Sequence, residues 1–243
     1  EDTGRQCIWI GTEGYLFQYF PSTGQMKQTE AFHNNSIKSL ALDGNGYLLA
    51  GTDNGLYVYH NDVTPLQHII HDSRNIQSLT NNIIWNIFAD QEHNIWLGTD
   101  YGISLSRYNS ALQFIPISQI TGTGDGNQFY SLFRDSKGFY WFGGTNGVIR
   151  FTHPAGNKHD AIWYRMGDKN HPLSHNRIRH IYEDREQQLW IATDGSINRY
   201  DYNTHQFVHY NIVDSTGTYN TNWAYYLFED TDGKLWIATC LLY

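Results

Sequence analysis

The sequence predicts an all-β fold, a β-propeller of four-stranded antiparallel blades, on three observations. One phrase recurs six times: Ile8-Trp9-Ile10-Gly11-Thr12, Leu48-Leu49-Ala50-Gly51-Thr52, Ile95-Trp96-Leu97-Gly98-Thr99, Trp141-Phe142-Gly143-Gly144, Leu189-Trp190-Ile191-Ala192-Thr193 and Leu235-Trp236-Ile237-Ala238-Thr239. An Asp stands six residues before the Trp position in five copies (Asp43, Asp90, Asp135, Asp184, Asp230), with Asp2 one residue further off in the first. Aromatic residues make up 16% of the chain, and Tyr and Trp suit half-buried strands. Self-similarity at a period of forty-odd residues marks units that bury their apolar faces only by stacking. A unit of that length holds four short strands and their turns.

The first strand is the apolar segment before each Asp, such as Ile84 to Phe88 or Ile178 to Tyr182. Asp-x-x-Gly then closes a hairpin at Asp43 to Gly46, Asp135 to Gly138 and Asp230 to Gly233. The Asp bonds back to the backbone there and the Gly takes a positive φ. His93 and Gln187 hold the Gly slot elsewhere, so those turns are expected to bend. The second strand carries the Trp phrase. A Thr-Asp-x-Gly turn follows at Thr52 to Gly55 and Thr99 to Gly102, leading to a third strand such as Leu56 to Tyr59 or Ile197 to Tyr200. The fourth strand is more variable, as in Phe114 to Ile117 and Phe207 to Tyr210. No segment reads as a helix.

The repeat fills residues 1–243, so the chain reads as one partial propeller of about five blades, with steps at Asp2, Asp43, Asp90, Asp135, Asp184 and Asp230. Five periods plus one redundant second strand predict a fragment of a longer array, in which no sheet edge stays bare. A formal charge of −8 argues against nucleic acid, which needs clustered Lys and Arg. No apolar run is long enough to span a bilayer, so this segment is expected to make no membrane contact. Cys7 and Cys240 lie at opposite ends of the repeat array and cannot frame the fold.

The phrases Asn176 to Asp184 with Leu189 to Thr193, and Phe228 to Thr239, resemble the two-component regulator propeller repeat. The resemblance runs through the whole chain in five to six copies. It implies part of a seven-bladed propeller in the periplasmic ectodomain of a hybrid two-component sensor of Bacteroides type. Further propeller and immunoglobulin-like domains, a membrane helix and a histidine kinase would lie elsewhere in the same protein, and the full-length protein would be able to form a homodimer. The implied function is to sense an oligosaccharide released from a polysaccharide and signal to the kinase. The chain departs from the pattern at Leu49 (for Trp), Gly144 (for Thr) and the displaced Gly195.

The repeat separates scaffold from site. Trp9, Trp96, Trp141, Trp190 and Trp236 share one slot and are expected to be packing. Asn35, Asn82, Asn127, Asn176 and Asn222 recur eight residues before each Asp, as a turn residue would. Five residues before the Asp, however, stand Lys38, Trp85, Tyr130, Arg179 and Tyr225, and seven before it Ser36, Ile83, Gln128, Arg177 and Trp223. These alternate positions share one side of a strand. In a propeller they approach the turn between the second and third strands around the central channel. The candidate ligand-binding residues are therefore Lys38, Trp85, Asp100, Tyr130, Asn146, Arg177, Arg179, Trp223 and Tyr225. The aromatics would stack on sugar rings, and the polar groups would bond hydroxyls or a uronate carboxylate. The alternative is that these side chains plug the channel or meet a second propeller.

No catalytic site is expected. The recurring Asp residues are explained by their hairpins, and no phosphate loop or nucleophile elbow occurs. His171, His175 and His180 crowd one connection at spacings that fit no zinc pattern, so neither metal nor cofactor is expected. The alternatives to a sensor are a propeller-fold polysaccharide lyase or hydrolase, and a structural or dimerisation propeller without a small ligand.

Overall fold

The computed structural model describes residues 1–28, 35–60, 63–108, 114–116, 118, 127–152, 160–170, 172–213 and 222–239. Among these are 21 strands, and the chain divides into two compact units, Glu1–Gln119 and Ile120–Tyr243. The first unit holds three antiparallel sheets: β1 (Ile8–Gly11), β2 (Leu16–Phe20) and β3 (Gln25–Gln28); β4 (Ile37–Leu42), β5 (Leu48–Thr52), β6 (Gly55–Tyr59) and β7 (Pro65–Ile69); β8 (Ile84–Ala89), β9 (Ile95–Thr99), β10 (Gly102–Ser106) and β11 (Phe114–Pro116). The second holds β12 (Phe129–Arg134), β13 (Tyr140–Gly144), β14 (Gly147–Phe151) and β15 (Ile162–Tyr164); β16 (Ile178–Glu183), β17 (Leu189–Thr193), β18 (Ser196–Asp201) and β19 (Gln206–Tyr210); then the pair β20 (Ala224–Glu229) and β21 (Leu235–Thr239). Within every sheet consecutive strands pair, as short hairpin connections require. Cys240 and the closing residues, and His171, lie outside the described residues.

The hairpins form as their Asp residues dictate. Asp43 Oδ1 accepts the N–H groups of Asn45 and Tyr47, at 2.9 and 2.7 Å, and Asp135 Oδ1 those of Lys137 and Phe139, at 3.0 and 2.8 Å. Gly46, Gly138 and Gly233 take φ of 80°, 87° and 79°. His93 and Gln187 do not bend the turn as expected. They adopt the same left-handed backbone, with φ of 63° and 60°, and so carry a local cost of about 1 kcal/mol that glycine avoids.

The fixed distance between Asp and Trp has a second cause that the turn does not explain. The other carboxylate oxygen accepts the indole N–H in Asp90 and Trp96 (2.8 Å), Asp135 and Trp141 (2.7 Å), Asp184 and Trp190 (2.7 Å) and Asp230 and Trp236 (2.6 Å). Asp2 and Trp9 make the same bond at 3.1 Å. One carboxylate thus closes a turn with one oxygen and satisfies a core indole with the other, which lets a polar ring edge be buried at little cost. Trp96 and Trp141 are fully buried, whereas Trp236, in the two-stranded sheet, is 59% exposed.

Adjacent sheets pack through a small residue in the Trp phrase. A Cβ on Gly11, Gly51 or Gly143 would come within 2.4, 2.6 or 2.4 Å of the Cγ2 of Ile37, Ile84 or Ile178, the first inner-strand residue of the next sheet. Where the phrase has Ala192 instead, the facing residue is Ala224, and both are fully buried in one cluster. The space is divided differently, with two methyl groups meeting where elsewhere an isoleucine reaches over a glycine. A polar joint lies beside it. Ser39 Oγ accepts the N–H of Ile87 (3.0 Å), Ser131 Oγ that of Ile181 (2.9 Å), and His180 Nδ1 that of Leu227 (3.2 Å). Burial lowers the pKa of His180 to about 4, keeping the acceptor neutral.

Candidate functional site

In each inner strand the ladder slips by one residue at the same place. Pairing passes from Ile37 to Ser39, from Ile84 to Asn86, from Phe129 to Ser131, from Ile178 to His180 and from Ala224 to Tyr226. The residue left outside the ladder is Lys38, Trp85, Tyr130, Arg179 or Tyr225. A β-bulge re-aims one side chain while its neighbours keep their register. Ile84, Phe129, Ile178 and Ala224, just before the bulge, are fully buried.

In the first unit these side chains interlock. Lys38 Nζ lies 2.8 Å from Asp53 Oδ1 and 4.3 Å from the centre of the Trp85 ring. Trp85 Nε1 donates to Asp100 Oδ1 at 3.0 Å, and the Ser36 N–H donates to Asp53 Oδ2 at 3.1 Å. Partial burial opposes ionisation of Asp53, but the bond from Lys38 and the Ser36 N–H outweigh it and hold its pKa below the ordinary value.

In the second unit Arg179 grips Asp194 with a fork, Nε to Oδ1 at 2.6 Å and Nη2 to Oδ2 at 3.0 Å. That carboxylate raises the Arg179 pKa above its usual value. Its guanidinium stands 4.9 Å from the Tyr225 ring centre, and Tyr225 meets Trp223 edge to face at 6.5 Å. Arg177, just before β16, brings Nη1 within 3.8 Å of Asp194 Oδ2, and its side chain is 44% exposed. The Tyr130 hydroxyl donates to Gln128 Oε1. The residues five and seven before the hairpin Asp therefore do meet on one side.

Asn146 does not join this arrangement. Gly144 holds the Thr slot of its turn, so Thr145 aligns with Asp53 and Asp100 and Asn146 falls one place later, exposed. Its N–H donates to Asn127 Oδ1 at 3.0 Å, and its carbonyl accepts from Arg165 Nε at 3.3 Å. Asp53 and Asp194 are site residues that sequence reasoning missed, although a signal existed. Each lies fifteen residues after the bulge residue it binds, as Asp100 does after Trp85. Two of the recurring Asn residues do the turn work expected of them, Asn82 and Asn176 accepting the N–H of His71 (2.6 Å) and Met166 (2.7 Å), whereas the buried Oδ1 of Asn222 has no partner among the described residues. Among the described residues no group of three or more His, Cys, Asp or Glu could hold a metal ion, and no helix is long and apolar enough to cross a membrane.

The family model named two component regulator propeller matches residues 78–101, 123–146, 172–195 and 218–240. These four stretches are two-component regulator propeller repeats. Each matched stretch runs from before a bulge residue to one or two residues past the Trp phrase, so Trp85, Tyr130, Arg179 and Tyr225 fall inside the repeat motif. The chain is 25% identical over 221 residues to Histidine kinase P4 of Formosa agariphila, covering 82% of this chain and 15% of that protein. It is 91% identical to the extracellular domain of the hybrid two component system BT4673 of B. thetaiotaomicron, over 99% of this chain and 32% of that one, with a TM-score of 0.50. The extracellular domain of the B. thetaiotaomicron system BT3049 shares the fold at 19% identity, over 96% of this chain and 41% of that one, with a TM-score of 0.66. The propeller repeats thus form a segment of extracellular-domain type, spanning about a third of the BT4673 domain.

Proposed function

We propose that this segment is the ligand-reading part of the periplasmic domain of a hybrid two-component sensor, and that it recognises an oligosaccharide from polysaccharide breakdown. The observation that supports the reading most is the bulge repeated in five inner strands. It holds a large side chain of varying type in an otherwise fixed frame, and turn Asp residues anchor several of these side chains. Trp85, Tyr130, Trp223 and Tyr225 offer faces for sugar rings. An Arg or Lys locked to an Asp offers donors and acceptors side by side, the complement of vicinal hydroxyls. Binding would favour one packing of the ectodomain over another and so bias a kinase in the same protein. Further propeller and immunoglobulin-like domains would carry that bias, within a homodimer of the full-length protein. The segment itself binds without turnover.

Calorimetry of the intact ectodomain against a panel of oligosaccharides tests this reading. Saturable binding with the oligosaccharide recovered unchanged is expected. Depletion of the glycan by the purified ectodomain would favour a lyase or hydrolase, and silence across the panel would favour a structural propeller.

A further inference from the structure

We infer that the ligand is an uncharged oligosaccharide, selected by ring stacking and hydroxyl bonding, with no acidic sugar required. This rests on the oligosaccharide reading above and sharpens it. The positive charges on the bulges are already paired within the protein. Lys38 is bonded to Asp53 at 2.8 Å, and Arg179 is held by both oxygens of Asp194 at 2.6 and 3.0 Å. Each cation keeps N–H donors for a hydroxyl, but a carboxylate or sulfate approaching either one would also meet the negative charge of the Asp already bound to it, and that Asp is itself held by a second bonding partner or a bidentate grip. Asp53 keeps the Ser36 N–H on its other oxygen, and Asp194 faces Arg177 as well.

Of Lys38, Arg177 and Arg179, Arg177 is the most open to solvent, but its guanidinium stands 3.8 Å from Asp194 Oδ2. An anion arriving there would feel the carboxylate as well as the guanidinium. At an exposed position such a pair contributes little, because water and salt screen it. In the first unit the balance runs the other way, with Lys38 accompanied by Asp53 and Asp100. The whole chain, at −8, would also repel a polyanion at long range. What the bulges still offer is aromatic surface. Trp223 and Tyr225 stand edge to face at 6.5 Å as two walls against which a pyranose face can lie.

The test is calorimetry of the intact ectodomain against two panels, uncharged hexose and pentose oligosaccharides and acidic ones carrying uronate or sulfate, each at low and high salt. Binding is expected in the uncharged panel, changed by less than about twofold between the salt conditions. Asp194→Asn should weaken that binding by about tenfold, because Arg179 loses its fork. It should also bring acidic oligosaccharides into measurable range, because two guanidiniums are then uncompensated. If Asp194→Asn does not fold, Asp53→Asn makes the same exchange at Lys38 in the first unit. Acidic ligands bound by the unaltered protein, with affinity falling steeply as salt rises, would overturn the inference and leave the oligosaccharide reading standing. Silence in both panels from folded protein would overturn the oligosaccharide reading itself.

Discussion

A methyl group added at Gly143 measures how tightly neighbouring sheets are fitted. Its Cβ would lie 2.4 Å from Ile178 Cγ2 and 2.8 Å from Ile178 Cβ, where ordinary carbon contacts begin at about 3.5 Å. Ile178 is fully buried, so either the sheets part by about 1 Å or the isoleucine leaves its rotamer, at a cost of ~1–3 kcal/mol. Ile178→Ala alone should cost ~2–5 kcal/mol through the cavity it opens. The double variant recreates the division of volume seen at Ala192 and Ala224, because the new methyl fills part of the space the isoleucine leaves. Its cost should fall below the sum of the singles by ~1–3 kcal/mol, and close to that of Ile178→Ala alone. Urea unfolding read as midpoint shifts at constant m supplies the four corners of the cycle. Additivity within ~0.5 kcal/mol would show that the Gly and Ala versions of the joint are unrelated and refute the compensation argument.

The double role of the hairpin Asp predicts that Asp135→Ala destabilises by ~3–5 kcal/mol, because it strands the buried Trp141 indole, the Tyr202 hydroxyl and two turn N–H groups. Asp43→Ala, in the copy where Leu49 replaces Trp, should cost ~1–2 kcal/mol by the same unfolding assay; equal costs would refute the role given to the indole bond. His180 titrates near 4 when folded, against 6.5 unperturbed, so above 6.5 both states are neutral and stability does not depend on it. Between 6.5 and about 4 only the unfolded chain takes the proton, and stability should fall by ~2–3 kcal/mol in total. His180→Gln should flatten that part of the stability profile, and an unchanged slope would contradict the buried-acceptor role. Trp85→Ala and Tyr225→Ala should each weaken oligosaccharide binding by about tenfold while leaving the unfolding midpoint nearly unchanged; a loss of stability in place of affinity would return both residues to the scaffold.

Much of this was legible in the sequence because repetition exposes it. The hairpin role of Asp43, Asp135 and Asp230 followed from Asp-x-x-Gly, and the strand order followed from the spacing of the Trp phrase. The shared side of Arg177 with Arg179, and of Trp223 with Tyr225, followed from period-two alternation. The bulge did not follow. It adds no residue signature of its own, since the slot holds Lys, Trp, Tyr, Arg or Tyr, and only the pairing register reveals it. The indole bond was hidden because its two ends already had sufficient explanations, the Asp in its turn and the Trp in its core. Asn146 was misplaced because Gly144 disturbs the one landmark from which the turn is counted.

The bulge explains why variation could gather where it did. In β16, Ile178 fills the contact with Gly143, and His180 holds the N–H of Leu227 in the next strand. Arg179 between them takes no place in the β16 ladder. In β12, Phe129 is buried and Ser131 accepts the N–H of Ile181, while Tyr130 is again left out. The buried joint and the N–H bond to the next sheet are thus assigned to the residues on either side, and the residue on the bulge is released from the ladder. A position outside the ladder tolerates any side chain that its neighbours can flank, which leaves room for a ligand to be read there. Lys38 on Trp85 and Arg179 on Tyr225 show what that freedom produces. Each of these two cations leans on the next bulge residue and on a turn Asp, so both are pre-organised by side chains that the repeat itself does not specify.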